Sequence, residues 1–210
     1  MSEFPPARLY LVTPPDPGLT TFPDLLGALL DGFAVACVRL SGAAMGEEAL
    51  MRAADTLRPV CHARDVPLLV TDHFRLAARL GLDGVHLSDG ARQVRAARAE
   101  LGRDAIVGAH ARASRHEGMT AAEIGADYVS FGPVAPSSLG DGTIAERALF
   151  EWWSEVIEVP VVAEGGLTPE LAGDLAPYAE FFALGEEIWS APEDPATALA
   201  AFQHRIGEAR

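Results

Sequence analysis

A glycine pair beside an acidic residue is the sequence feature with the clearest chemical implication. The stretch VVAEGGLT, residues 161–168, runs from apolar residues through Glu164 into Gly165 and Gly166 and then into a helix start. Because adjacent glycines leave the backbone uncovered, a phosphate can approach the peptide N–H groups of such a turn closely. A neighbouring carboxylate disfavours that ligand. The alternative is a tight strand-to-helix turn that needs glycine only for its dihedral angles.

Short apolar runs recur along the chain with helical segments between them. Strands that are apolar on both faces and alternate with helices are typical of a parallel sheet covered by helices. Eight such units in 210 residues predict an α/β fold, a single-domain (β/α)8 TIM barrel over residues 1–210. A doubly wound open sheet is the alternative, although no GxGxxG follows the first strand. The predicted strands are 9–13, 34–40, 67–71, 84–87, 105–110, 127–132, 159–163 and 180–185, and the predicted helices include 46–64, 73–81, 91–102, 114–125 and 168–178.

In a TIM barrel the residues that directly follow each strand form the candidate site. His110 is a candidate general base or a contact for an aromatic heterocycle, whereas His86, inside a strand, is interpreted as structural. Asp72 either takes part in chemistry or caps the next helix. Arg39 either serves the site or forms a structural ion pair with Asp72 or Glu164.

The charge balance limits the partners that this chain can bind. Sixteen basic and thirty acidic side chains give a formal net charge of −14, which repels nucleic acid and anionic membranes. No segment reaches the length of apolar sequence that a membrane span needs, and the start lacks the pattern of a signal peptide. We therefore expect a cytoplasmic protein that binds neither nucleic acid nor membrane. The sequence leaves open whether it forms a homo-oligomer.

Five segments in order cover nearly the whole chain: LYLVT (9–13), TDHFRLAARLGLDGVHLSDG (71–90), GADYVSFGPVAPS (125–137), PVVAEGGLTPE (160–170) and FFALGEEIWSAPEDPATAL (181–199). Together they resemble the thiamine phosphate synthase family and its thiazole tautomerase relatives. The resemblance implies a (β/α)8 barrel that joins a pyrimidine pyrophosphate to a thiazole phosphate. It also implies that pyrophosphate leaves with the help of Mg²⁺ before the thiazole nitrogen captures the pyrimidine methyl cation.

The synthase site maps onto this chain only in part. Its Gln-x-Arg-x-Lys motif aligns with Arg39-x-Ser41-x-Ala43. Its Asn-Asp-Asp motif aligns with Thr71-Asp72-His73, and its Thr/Lys loop aligns with Ser137-Ser138-Leu139-Gly140. Its second metal aspartate aligns with Ala91, near Asp89, and its serines after the fifth and eighth strands align with His110 and Glu186. Fewer cations and metal carboxylates therefore remain than the synthase uses.

Position at the strand ends, together with the resemblance, predicts a divergent site of three parts. We expect Arg39, Asp72 and His110 to be catalytic and Asp72 and Asp89 to be the ligands of a weak or absent Mg²⁺ site. The expected substrate-binding residues are Ser41, Thr71, Ser137, Ser138, Gly165, Gly166, Gly185 and Glu186. We expect a thiamine phosphate synthase-like protein that acts weakly on a small heterocycle or phosphate ester. A metal-free isomerase using His110 and Asp72, and a non-catalytic binding barrel, are the alternatives.

Overall fold

Eight parallel strands close into one barrel in chain order. The computed structural model describes residues 8–42 and 45–209, so Ala43 lies outside the described residues. The strands are β1 (Arg8–Val12), β2 (Val35–Leu40), β3 (Leu68–Thr71), β4 (Gly84–Leu87), β5 (Ile106–His110), β6 (Tyr128–Phe131), β7 (Val161–Glu164) and β8 (Phe181–Leu184). Each strand begins and ends within two residues of its prediction. The predicted TIM-barrel fold is confirmed, and the open sheet is excluded.

Helices follow the strands and cover the outer face of the barrel. In the described ranges they are α1 (Phe22–Gly32), α2 (Glu47–His62), α3 (Phe74–Leu80), α4 (Val94–Leu101), α5 (Arg115–Glu123), α6 (Arg147–Val156), α7 (Pro169–Leu175), α8 (Glu186–Trp189) and α9 (Pro195–Glu208). The side chain of Asp194 accepts hydrogen bonds from the N–H groups of Ala196 and Thr197, which fixes the start of α9. No helix within the described ranges is both long and apolar enough to cross a bilayer.

The barrel interior changes from apolar to polar along the strands. Tyr10, Cys37, Leu69, Tyr128, Val162 and Ala183 form a buried cluster inside it. Because side chains two positions apart in a strand share a face, Arg39, Ser130 and Glu164 follow Cys37, Tyr128 and Val162 toward the carboxyl ends of the strands. The fold thus places a layer of buried polar side chains toward the mouth of the barrel. We call this set the polar layer; its members are Arg39, His86, His110, Ser130 and Glu164.

Glycine 108 makes room for the aromatic part of this interior. A Cβ atom at Gly108 would lie only 1.9 Å from Cζ of Tyr128. The absence of a side chain therefore allows the Tyr128 ring to cross the barrel above β5, where its hydroxyl reaches Tyr10 and His86.

Candidate functional site

Glu164, at the end of β7, is the centre of the polar layer inside the barrel. Its Oε2 accepts a hydrogen bond from Nη2 of Arg39 at 2.9 Å, and its Oε1 accepts one from the hydroxyl of Ser130 at 2.6 Å. Nδ1 of His110 lies 2.8 Å from the same Oε1 and 3.0 Å from Oγ of Ser130. Of the two partners considered for Arg39, the structure selects Glu164 and not Asp72.

The charge of Glu164 is compensated inside the barrel. Burial alone would raise the pKa of this carboxyl, but the Arg39 guanidinium and His110 outweigh burial and hold the pKa well below its usual value. Only 3% of Glu164 and 9% of Arg39 is exposed. The Glu164 carboxylate thus faces an internal cation, the Arg39 guanidinium, at a distance of 2.9 Å.

A chain of hydrogen bonds connects the aromatic interior to the polar layer. The hydroxyl groups of Tyr10 and Tyr128 lie 2.8 Å apart, and the Tyr128 hydroxyl lies 2.8 Å from Nδ1 of His86. Burial raises the pKa of both tyrosines. Burial, assisted by the charge of Arg39, holds the pKa of His86 well below its usual value. The interpretation of His86 as a structural histidine agrees with these contacts.

Two buried nitrogen atoms of the polar layer have unused hydrogen-bonding capacity. Within the part of the chain that the structure describes, Nε2 of His110 and Nε of Arg39 have no hydrogen-bond partner. His110 is only 5% exposed. Buried polar atoms normally have a hydrogen-bond partner. A ligand inside the barrel would therefore form its hydrogen bonds with these two atoms.

Asp72 and Ser88 connect the loops that follow β3 and β4. The Asp72 carboxylate accepts hydrogen bonds from the Ser88 N–H at 2.7 Å and the Ser88 hydroxyl at 2.6 Å. Asp72 has a left-handed backbone with φ 61°, which is uncommon for a residue other than glycine. The N-cap of α3 is His73, without a side-chain capping bond. The alternative that Asp72 merely caps this helix is therefore wrong.

The carboxylates proposed for Mg²⁺ have different surroundings. Both oxygens of Asp72 are bonded to Ser88, whereas Asp89 accepts a bond from Gln93 at Oδ2 and has a buried, unpartnered Oδ1. Among the described residues, no group of three or more histidine, cysteine, aspartate or glutamate side chains is arranged to hold a metal ion. Within the described ranges, Asp72 and Asp89 are thus the two carboxylates that these loops offer to a cation.

Loop β6–α6 packs directly against the glycine pair. Gly165 and Gly166 have φ 80° and 73°, and a Cβ at Gly166 would lie 2.5 Å from the carbonyl oxygen of Ala135. A Cβ at Gly165 would lie 2.8 Å from Cδ2 of Leu139. The dihedral angles and the close approach of this loop therefore account for both glycines.

Ser137 and Ser138, which we call the serine loop, lie in loop β6–α6 beside the loop that follows β8. The Ser138 hydroxyl is 3.4 Å from Oε2 of the exposed Glu186, whereas the Ser137 hydroxyl accepts a bond from the N–H of Leu139. The structure thus brings Ser138 and Glu186 together and gives Ser137 a local turn contact.

Two further candidates lie on neighbouring loops. The Ser41 N–H donates to the Thr13 hydroxyl at 3.1 Å, and the Thr71 hydroxyl lies 3.4 Å from the carbonyl of Leu40. These contacts join the ends of β1, β2 and β3 on the same side of the barrel.

Glu187 was not identified as a site residue from the sequence. Its Oε1 accepts hydrogen bonds from the N–H groups of Gly166 at 2.9 Å and Leu167 at 3.3 Å, and its Oε2 accepts one from Gly185 at 2.9 Å. The carboxylate of Glu187 therefore occupies backbone donors of both loops in which a phosphate site was expected.

Comparisons with known proteins agree with the barrel and its motifs. The model of the thiamine monophosphate synthase family matches residues 9–188. The chain belongs to this family. A thiamine-phosphate synthase from Rhodospirillum centenum is 44% identical over 93% of this chain and 95% of that protein, and one from Erythrobacter litoralis is 40% identical over 97% of both. A thiamine phosphate pyrophosphorylase structure from Pyrococcus furiosus has the same fold, with a TM-score of 0.82, 23% identity and 96% of each chain covered.

Family membership confirms the expected function at the level of thiamine biosynthesis. The chain is a thiamine phosphate synthase-like protein, and the isomerase and non-catalytic alternatives are not favoured. Proteins of this family bind small-molecule phosphate esters and use Mg²⁺.

Proposed function

We propose that this protein joins a pyrimidine pyrophosphate to a thiazole phosphate at the C-terminal mouth of the barrel, in the cytoplasm. The observation that carries the proposal is 44% identity, over 93% of the chain, to a protein named thiamine-phosphate synthase. The polar layer supports it, because active sites of TIM barrels lie at this end of the strands.

His110 is the residue that we propose to contact the pyrimidine. Its Nδ1 is held by Glu164 and Ser130, so only Nε2 is left for a ligand. In the tautomer whose Nδ1–H donates to Glu164, Nε2 is a hydrogen-bond acceptor. An acceptor at this position stabilises an N–H of the heterocycle as positive charge develops during the departure of pyrophosphate.

Arg39 and Glu164 are proposed to position His110. The charge of Arg39 is already compensated by Glu164, so this arginine contributes little net positive charge toward pyrophosphate. Arg112 is nearer the surface, with its side chain 49% exposed, and lies 3.5 Å from Glu117. The cationic support of the leaving group is therefore limited.

Asp72 and Asp89 are the residues that would hold Mg²⁺. The unpartnered Oδ1 of Asp89 and the nearby Asp72 fit a cation that takes its other ligands from substrate phosphates and water. When bound, Mg²⁺ neutralises charge on the pyrophosphate that leaves. The residues proposed to line the rest of the substrate site are Ser41, Thr71, Ser137, Ser138, Gly165, Gly166, Gly185 and Glu186.

Slow turnover is the expected result of the synthase assay with both substrates and Mg²⁺. All sixteen basic residues of the chain are arginines, so the loop lysine of the synthase has no counterpart. Each missing preorganised donor typically costs about 10²–10³ in rate, although such losses are not additive. We expect thiamine phosphate formation above the enzyme-free rate but below about one turnover per second.

Two aspartate variants, one test and one matched control, accompany this assay. Asp72→Asn should lower the rate, whereas Asp104→Asn, at an exposed position, should not. An absence of product would refute the proposed reaction. Turnover of about one per second or faster would show that Arg112 and the serine loop replace the missing cations.

Weak binding of Mg²⁺ in the absence of pyrophosphate is a separate expectation. Because both oxygens of Asp72 are bonded to Ser88, a cation must compete for them and then rely on water and phosphate oxygens. Titration calorimetry should detect no tight site in the protein alone and a tighter one with inorganic pyrophosphate present. Sub-micromolar affinity without pyrophosphate would contradict the two-carboxylate assignment.

A further inference from the structure

The carboxylate of Glu187 connects two loops at the mouth of the barrel. Three backbone N–H groups, those of Gly166, Leu167 and Gly185, donate to its two oxygens at 2.9–3.3 Å. The donors come from the turn after β7 and from the residue after β8. Converging N–H groups of this kind form a binding site for an anion, and here the anion is a side chain of the protein itself.

The surrounding backbone fixes the direction of these donors. Gly166 has φ 73°, and a Cβ on it would lie 2.5 Å from the oxygen of Ala135 and 2.8 Å from its carbonyl carbon. Because loop β6–α6 packs this closely on the turn, the turn has little freedom to present its N–H groups elsewhere. A second anion that binds the N–H groups of this turn would therefore meet the donors that Glu187 uses.

We propose that Glu187 competes with the phosphate of a substrate for these three donors and thereby sets the affinity of the protein for phosphate esters. The inference rests on the proposed function for the identity of the phosphate ester. A phosphate dianion and a carboxylate cannot share the same donors without strong repulsion. Glu187 must move out of the site before a phosphate enters it, so Glu187 is a specificity-determining residue.

Phosphate affinity in Glu187 variants tests this inference. We expect the Kd for inorganic phosphate, measured by titration calorimetry, to fall at least about tenfold in Glu187→Ala, because placing like charges together is costly. Thermal unfolding should show a lower midpoint for Glu187→Ala without phosphate, since the donors lose their acceptor. Addition of phosphate should raise that midpoint more than it raises the wild-type midpoint.

Glu193→Ala is the matched control, because it removes the same charge at a nearby exposed position. It should leave the Kd for phosphate unchanged, and an equal gain in both variants would overturn the inference. Glu187→Gln keeps one acceptor oxygen and serves if the alanine variant does not fold. A purely structural glutamate would lower the unfolding midpoint in these variants without any gain in phosphate affinity, and that result would also overturn the inference.

The two proposals can fail separately. Phosphate binding is measured without turnover, so a gain in Glu187→Ala supports the competition even where no thiamine phosphate forms. Conversely, synthase activity with no change in phosphate affinity would leave the reaction supported and remove Glu187 from the determinants of specificity.

Discussion

Replacing Arg39 with methionine should lower the free energy of unfolding by about 3–5 kcal/mol. In the wild-type protein, Nη2 of Arg39 lies 2.9 Å from Oε2 of Glu164. Methionine keeps much of the apolar volume of arginine but leaves the Glu164 carboxylate buried without this cation. An uncompensated buried charge is among the few changes that destabilise a protein so strongly. Urea denaturation at pH 7, analysed by linear extrapolation, measures the loss.

A double variant separates the charge from the packing of Arg39. In Arg39→Met/Glu164→Gln the buried charge is gone, so most of the lost stability should return. Arg52→Met breaks an exposed ion pair with Glu48 and should cost no more than about 1 kcal/mol. Equal losses in Arg39→Met and Arg52→Met would show that the buried pair does not stabilise the barrel.

The loss caused by Arg39→Met should depend on pH in a defined direction. The folded-state pKa of Glu164 is held well below its usual value of 4.5, so the stabilisation from the pair is fully present above that value. It is lost as the pH falls through the folded-state pKa, because the carboxyl becomes protonated. The difference in stability between wild type and Arg39→Met should therefore be constant near neutral pH and shrink in acid.

The strands could be predicted from sequence because burial on both faces leaves a strong local signal. Runs such as residues 84–87 and 105–110 contain no polar residue except one histidine each, and a helical segment separates them. In this alternation a closed parallel barrel is one of few arrangements that cover both faces of every strand. The order of the strands followed from their order in the chain, so local patterns were sufficient for the fold.

The contacts within the polar layer could not be predicted in the same way. Arg39 and Glu164 are 125 positions apart, and only closure of the barrel decides that Glu164 rather than Asp72 is the partner. Ser130 lies inside an apolar run and gave no sign of its bond to Glu164.

Glu187 was missed for a different reason. The sequence GEEI contains two adjacent acids at a helix start, and only the path of the loop decides that Glu187, and not Glu186, turns toward the N–H groups of Gly166 and Gly185. A residue whose role depends on loop geometry leaves no periodic signal, unlike a residue in the core of a strand.

Turnover in the synthase assay should fall by about 10²–10³ when His110 is replaced with alanine. The imidazole is held at Nδ1 by Glu164 and Ser130, and the unpartnered Nε2 is the atom that we propose to contact the pyrimidine. Because that contact strengthens as positive charge develops, its loss should lower kcat much more than it raises KM. Rates of product formation measured over a range of substrate concentrations, with Mg²⁺ in excess, give kcat and KM for both proteins.

His86→Asn is the internal control for His110→Ala. His86 belongs to the same buried layer, but its Nδ1 is bonded to the Tyr128 hydroxyl and its Nε2 lies 3.7 Å from Glu164, so both nitrogens face the protein. Its replacement should lower the free energy of unfolding without a comparable fall in kcat. If the two variants lose kcat and stability in the same proportion, His110 acts only through the structure of the barrel. A fall in kcat confined to His110→Ala, at nearly unchanged stability, would instead place Nε2 of His110 against the reacting heterocycle.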